Sequence, residues 1–354
     1  MSSTNALTLA ASSTTSSGDL TLTSSASTIN VNNALVSAGA VTMTASTGLT
    51  LSNSTLTGSG NISLQGGSSL SLASGTTITS SAGNITLGAS GGSITANGAL
   101  TLSSNGSITV SNALTATGAA TLNANSGITL GNSFTANGAV ALDADLDNNG
   151  TGDFTISSGT LSTTSNALTL TANDLILTGS LNSGTGSTTI NVSDGGSLGI
   201  GFSSGFGMNL TTTEQANIIG TGDLSLVNGS ITISASNSLS ASGKLTIGQS
   251  GGTITGQGAL TLSGAKGLAI NSSITSAGNL ILEGDSNNSA DSDDSISLAS
   301  GTSLIASAGS ITLDATTGGI SAAGAVTLNA TNGITINDDL TSSRTAIFDA
   351  DTDN

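Results

Sequence analysis

The chain has 354 residues, of which 6% are charged and 1% aromatic, and a formal net charge of −17 with three cations, Lys244, Lys266 and Arg344. So few cations leave no basic stripe for a phosphate backbone and nothing to hold the chain on an anionic membrane, which excludes nucleic-acid binding and electrostatic lipid attachment. With no histidine and no cysteine, neither a Ser/His/Asp triad nor a Cys/His zinc set can form.

What remains is Ser, Thr, Gly, Asn, Ala and evenly spaced aliphatics, at a mean hydropathy of +0.25. That placement argues against a disordered Ser/Gly tract, which scatters its few apolar residues. Proline is absent, so every strand keeps all its ladder donors. No run approaches the ~18 apolar residues of a spanning helix. The opening "MSSTNALTLAASSTTSSG" lacks the charged and apolar regions of a secretory signal.

In chain order, the first long phrase is "LSLASGTTITSSAGNITLGASGGSITANGALTL", Leu70–Leu102, which returns as "ISLASGTSLIASAGSITLDATTGGISAAGAVTL", Ile296–Leu328. A shorter beat of about 20 residues runs through it and onward. Ile94 answers to Leu114 and Phe134, Gly98 to Gly118 and Gly138, Leu102 to Leu122 and Leu142, and Ile108 to Ile128. Further on, Ile254 and Ile274, Leu260 and Leu280, Leu262 and Leu282, Ile320 and Leu340, and Leu328 and Phe348 keep the same interval.

Inside each interval lie three short apolar pieces, as in "SITV", "NALTA" and "GAATL". Aliphatics alternate with Thr, which is the period of a strand with one greasy and one hydroxyl face. The pieces are too short for helices and rich in β-formers. The glycines between them, Gly98, Gly118 and Gly138 among them, are expected to take positive φ at the corners. Three short strands and three corners per coil specify an all-β, right-handed parallel β-helix (a β-solenoid), with about 17 coils at this interval. The whole chain, 1–354, is expected to form one continuous shaft and to be a fragment of a longer protein. One coil cannot bury its own apolar face, so its neighbours must repeat its pattern.

Columns of like residues follow. Thr101 over Thr121 and Thr109 over Thr129 form a hydroxyl ladder facing solvent. Phe134 and Phe348 fall on core columns, and Phe202 and Phe206 in a local cluster. Asn61 and Asn84 head Asn-x-Ser/Thr triplets of the kind this composition produces by chance.

Three stretches break the beat. The acidic loop 143–153, "DADLDNNGTGD", sets Asp145, Asp147, Asn149, Gly150 and Asp153 at alternating positions with Asp143 just before them. Hard calcium takes several oxygen ligands, and alternate residues of a Gly-containing turn converge them. The closing bidentate Glu of a helix-loop-helix site is absent, its place falling on Ile156. A second acidic loop, 283–295, carries Asp285, Asp291, Asp293 and Asp294 without that spacing, and Asp349, Asp351 and Asp353 form an incomplete third. No cofactor is required by the fold; calcium is the ion these loops suit. The stretch 194–226 loses the beat altogether.

That last stretch, "GSLGIGFSSGFGMNLTTTEQANIIGTGDLSL", resembles the recurring segment of giant bacterial surface proteins of the filamentous-haemagglutinin type. Ile200-Gly201, Asn209-Leu210, Glu214 and Ile218 stand where that family has a Gly-rich turn, an Asn-Leu phrase and the return to the coil. The flanking repeats resemble the same family's coils. The resemblance implies a β-helical shaft of a two-partner-secretion adhesin, exported through an outer-membrane secretion partner to the extracellular face. The family's amino-terminal secretion motif contains proline, so it lies outside this sequence.

The expected role is therefore a structural and binding shaft of a secreted or cell-surface adhesin, taking host or neighbouring-cell ligands or copies of itself as partners, without membrane insertion and without catalysis. Two other readings stand beside it. A β-helical carbohydrate-active enzyme or carbohydrate-binding fibre would need convergent carboxylates and an aromatic platform. A purely structural matrix or sheath protein would bind only itself.

Overall fold

Thr109 sits between Ile108 and Val110 with its side chain turned outward and both neighbours buried. Ile108 lies over Ile85 on one side and under Ile128 on the other, with every pairing parallel. That triplet is the unit of the fold, which a computed structural model describes for residues 1–52, 55–235, 237–289, 294–316 and 318–352. The chain is an all-β parallel solenoid with three strands per coil. Its coils average about 22 residues, so the chain makes about 15 turns where the 20-residue beat suggests 17. The longer steps come from loops inserted between strands: Leu114 faces Phe134, but Ile274 faces Leu304 across the second acidic loop.

The described residues form two units. The first comprises 1–184 with 217–219. One of its sheets has nine parallel strands, from Ser2–Ser3 to Leu175–Leu177, and a second has nine, from Leu7–Leu9 to Ser180–Asn182. A third face runs from Ser13–Thr15 to Leu168–Ala172. The second unit comprises 185–216 and 220–354. It carries an eight-stranded sheet ending at Ala346–Asp349 and a five-stranded sheet from Asn237–Ala241 to Ile334–Ile336. Its remaining face runs from Thr188–Val192 to Leu340–Ser342.

The predicted registers are those found. Ile94 pairs with Leu114, Leu102 with Leu122, Leu122 with Leu142, Ile254 with Ile274, Leu262 with Leu282, and Leu328 with Phe348. Thr101 stacks on Thr121 and Thr109 on Thr129. The long echo of Leu70–Leu102 in Ile296–Leu328 is a repeat of the same succession of strands in each unit. Inside, Leu and Ile fill the columns, and each contributes roughly 1.5–3 kcal/mol on burial. Small residues also stack on one another, as in the column Ala96–Ala116–Ala136. Phe134 and Phe154 are fully buried in core columns, whereas Phe348 keeps its register but is half exposed.

Gly98, Gly118 and Gly138 are corner glycines for a reason other than the one expected. They do not take positive φ, which falls instead on Gly127, Gly150, Gly159 and others. What they lack is room. A Cβ on Gly118 would lie 2.8 Å from Ala99 N and 2.9 Å from Gly98 C, and one on Gly138 would lie 2.6 Å from Ala119 N. Adjacent corners touch backbone to backbone, and a side chain would force the coils apart.

Two further residue types hold the corners. Buried Ser104 donates from Oγ to Gly83 O at 2.6 Å, one coil back, and accepts from Gly106 N at 3.1 Å. Ser80 does the same with Gly60 O and Gly83 N. Beside them, Asn61 Oδ1 accepts from Asn84 N at 2.9 Å and Asn84 Oδ1 from Ser107 N at 2.8 Å. Asp19, Asp223 and Asn279 accept from Ala40, Lys244 and Ser310 in the same way. These bonds satisfy corner N–H groups that fall outside the strand ladders.

Candidate functional site

The acidic loop 143–153 leaves the coil where the Val140–Asp143 strand ends and rejoins it at Phe154–Ile156. Asp145, the first residue of the expected calcium pattern, is fully buried. Its Oδ1 accepts from Asn149 N at 3.1 Å and its Oδ2 from Gly150 N at 2.9 Å, while its carbonyl accepts from Asn148 N. Asn148 reaches this turn at φ 51° and Gly150 at φ 76°. Asp145 is thus the internal brace of the loop. Gly152 is pressed on Ala144, where an added Cβ would meet the carbonyl at 1.8 Å.

The other expected ligands are spread around this brace. Asp143 Oδ1 accepts from Asp145 N at 3.2 Å. Burial pushes the Asp143 carboxyl above its ordinary value, the Asp145 charge pushes the same way, and the Asp145 N–H opposes both. Asp147, on the exposed tip, accepts from Asn149 Nδ2 at 2.9 Å, and Asp153 Oδ1 accepts from Asn173 Nδ2 at 3.0 Å on the neighbouring coil. Among the described residues no three acidic side chains gather into a metal-holding group.

The second acidic loop opens with the same turn. Asn288 takes φ 52°, its N–H donates to Asp285 O, and Asp285 Oδ1 accepts from Ser289 N at 3.1 Å. Asp285 is 5% exposed, and its Oδ2 is buried with no hydrogen-bond partner. Asp294 is fully buried where the chain rejoins the coil. Asp291 and Asp293 lie outside the described residues. In the third acidic stretch Asp349 Oδ1 accepts from Asp351 N at 3.4 Å on the exposed surface, and Asp353 lies outside the described residues.

The stretch 194–226 is built around two short parallel strands, Leu198–Ile200 and Met208–Leu210, side by side in the second unit. The chain turns between them through Gly201 and Gly205, both at positive φ. Phe206 lies flat on Gly199, whose Cβ would fall 2.2 Å from the ring, and its centroid is 4.8 Å from that of Phe202. Asn209 brackets Phe206, accepting from its N–H and donating to its carbonyl. A one-turn helix, Thr212–Ala216, follows. Glu214 accepts from Thr211 N at 2.9 Å and Thr211 Oγ1 accepts from Glu214 N at 3.2 Å, a reciprocal capping box that accounts for the T-x-x-E spacing.

Sequence reasoning did not single out the corner serines or the roles of Asn61 and Asn84. Their signal was present: Ser stands two or three residues before the corner Gly, and Asn or Asp at or just after it. No helix among the described residues is long and apolar enough to cross a membrane. No protein-family model, no curated protein and no solved structure matches the chain.

Proposed function

We propose that this chain is a shaft segment of a secreted or cell-surface bacterial adhesin-like protein, related to the filamentous-haemagglutinin type, that holds binding surfaces at a set distance from the cell. The observation that supports it is the register kept from strand to strand within each sheet. In the first unit nine rungs of one sheet succeed each other without a slip, a height of about 40 Å at the usual strand spacing. Every rung repeats the columns beneath it, which is the construction of a spacer rather than of a single concave site. The exterior is a ladder of hydroxyls with few charges, suited to hydrogen bonding with hydroxylated surface polymers or with copies of the chain. The Ile200-Gly201, Asn209-Leu210 and Glu214 phrase supports the family reading, and export through an outer-membrane partner follows from it.

The test is made on intact producing cells. Externally added protease should remove the chain's epitope, and purified chain should bind those cells or immobilised surface polysaccharide saturably. An epitope resistant until lysis would refute the surface role. Cleavage of the polysaccharide by the purified chain would replace it with an enzymatic one.

A further inference from the structure

We propose that the second acidic loop holds a hydrated divalent cation, calcium by its ligand chemistry, on Asp285 with Glu283 and Asp314 around it. The two acidic loops start from the same turn but finish it differently. In the first, both carboxylate oxygens of Asp145 accept backbone N–H groups. In the second, Asp285 is as deeply placed, yet only Oδ1 is occupied and Oδ2 is buried without a donor. A buried anionic oxygen left bare is costly, and a cation is the partner that removes that cost.

The surroundings differ in the same sense. Asp143 of the first loop stacks between Asn123 and Thr171, both neutral. Its counterpart Glu283 stacks directly against Asp314, and like charges opposite each other in a ladder repel. Glu283, Asp285, Ser286, Asn288, Asp314 and Thr316 line one pocket of about 160 Å³. That is room for an ion with several waters, each taking roughly 30 Å³. Asp314 is held in place by Thr316 Oγ1 at 3.2 Å and Asn337 Nδ2 at 2.9 Å. The donors are all oxygens of mixed type in an irregular frame, which suits calcium better than the strict octahedron of magnesium. No three carboxylates among the described residues close into a cage, so water completes the shell and binding falls in the weak range of extracellular modules. The site stands independently of what the chain adheres to.

Thermal melts of the purified chain in calcium chloride and in chelator test it, with calorimetric titration of calcium. Calcium at about 10 mM should raise the midpoint by at least about 2 °C. Asp285→Asn, which keeps the shape and removes the charge, should abolish that rise and melt no lower than the parent in chelator. Glu283→Gln combined with Asp314→Asn should weaken calcium binding by at least about threefold, a readout that survives even if Asp285→Asn folds poorly. Asp147→Asn in the first loop should leave the response unchanged. A parent chain indifferent to calcium, an Asp285→Asn variant that keeps the rise, or an Asp147→Asn variant that loses it would each overturn the assignment.

Discussion

Asp143 shows how much a single carboxyl can depend on its depth. It ends a strand half-buried, and desolvation, with the Asp145 charge behind it, raises its pKa above the ordinary 3.8 against the pull of the Asp145 N–H. A carboxyl with a raised folded pKa stabilises the fold below its unfolded value and loses that contribution as pH rises through the folded value. At neutral pH its ionised form is therefore a burden. Asp143→Asn keeps the acceptor for Asp145 N and drops the charge, so it should melt higher than the parent at about pH 7 and equal to it at about pH 3. Equal midpoints at both pH values would show that Asp143 is solvated too well for burial to matter. The alternation of acids in this loop was plain in the sequence, but its direction was not. Whether Asp145 faces an ion or the backbone depends on Asn148 turning to positive φ and aiming two N–H groups inward, and no spacing rule encodes that.

Strands were the legible elements, and corners were not. Ile108-Thr109-Val110 declares its period by itself, and matching triplets 20 residues apart fix the register because a one-residue slip would expose every aliphatic. The corners are decided by what lies one coil away. Gly118 looked like a residue chosen for its dihedral freedom; it is chosen because Gly98 and Ala99 leave no space for a Cβ. Ser104, which nothing in its own triplet marks out, is buried and bonded to Gly83 O, Ser107 O and Gly106 N. Ser104→Ala removes a donor and an acceptor from a place that water does not reach, leaving Gly83 O with one partner fewer. The expected cost is about 1–3 kcal/mol, read as a lower denaturation midpoint. Ser103→Ala, one residue away on the outer side, should cost far less. Equal losses for the two would mean that the corner bonds are replaced by water.

At the scale of the whole chain, the dominant electrostatic fact is imbalance: 20 acids against three cations. The solenoid sharpens it, because parallel in-register stacking brings residues at equivalent positions within about 4.8 Å of the next coil. Glu283 over Asp314 is the direct case. Most coils escape by presenting Thr, Ser and Asn outward, and 12 of the 20 acids cluster in the three acidic stretches, which is why those stretches were easy to find. The repulsion between exposed acids falls with ionic strength, since the screening length shrinks from about 30 Å at 0.01 M to about 3 Å at 1 M salt. Sodium chloride raised from about 0.01 M to about 0.5 M should therefore lift the thermal midpoint. A chain held together by surface ion pairs would respond in the opposite direction, because screening would weaken attraction instead. With a core of stacked aliphatics and serine corner bonds that do not depend on charge, salt acts chiefly by relieving the acids of one another. A midpoint that falls as salt rises would mean that the three cations, Lys244, Lys266 and Arg344, carry more of the stability than their number suggests.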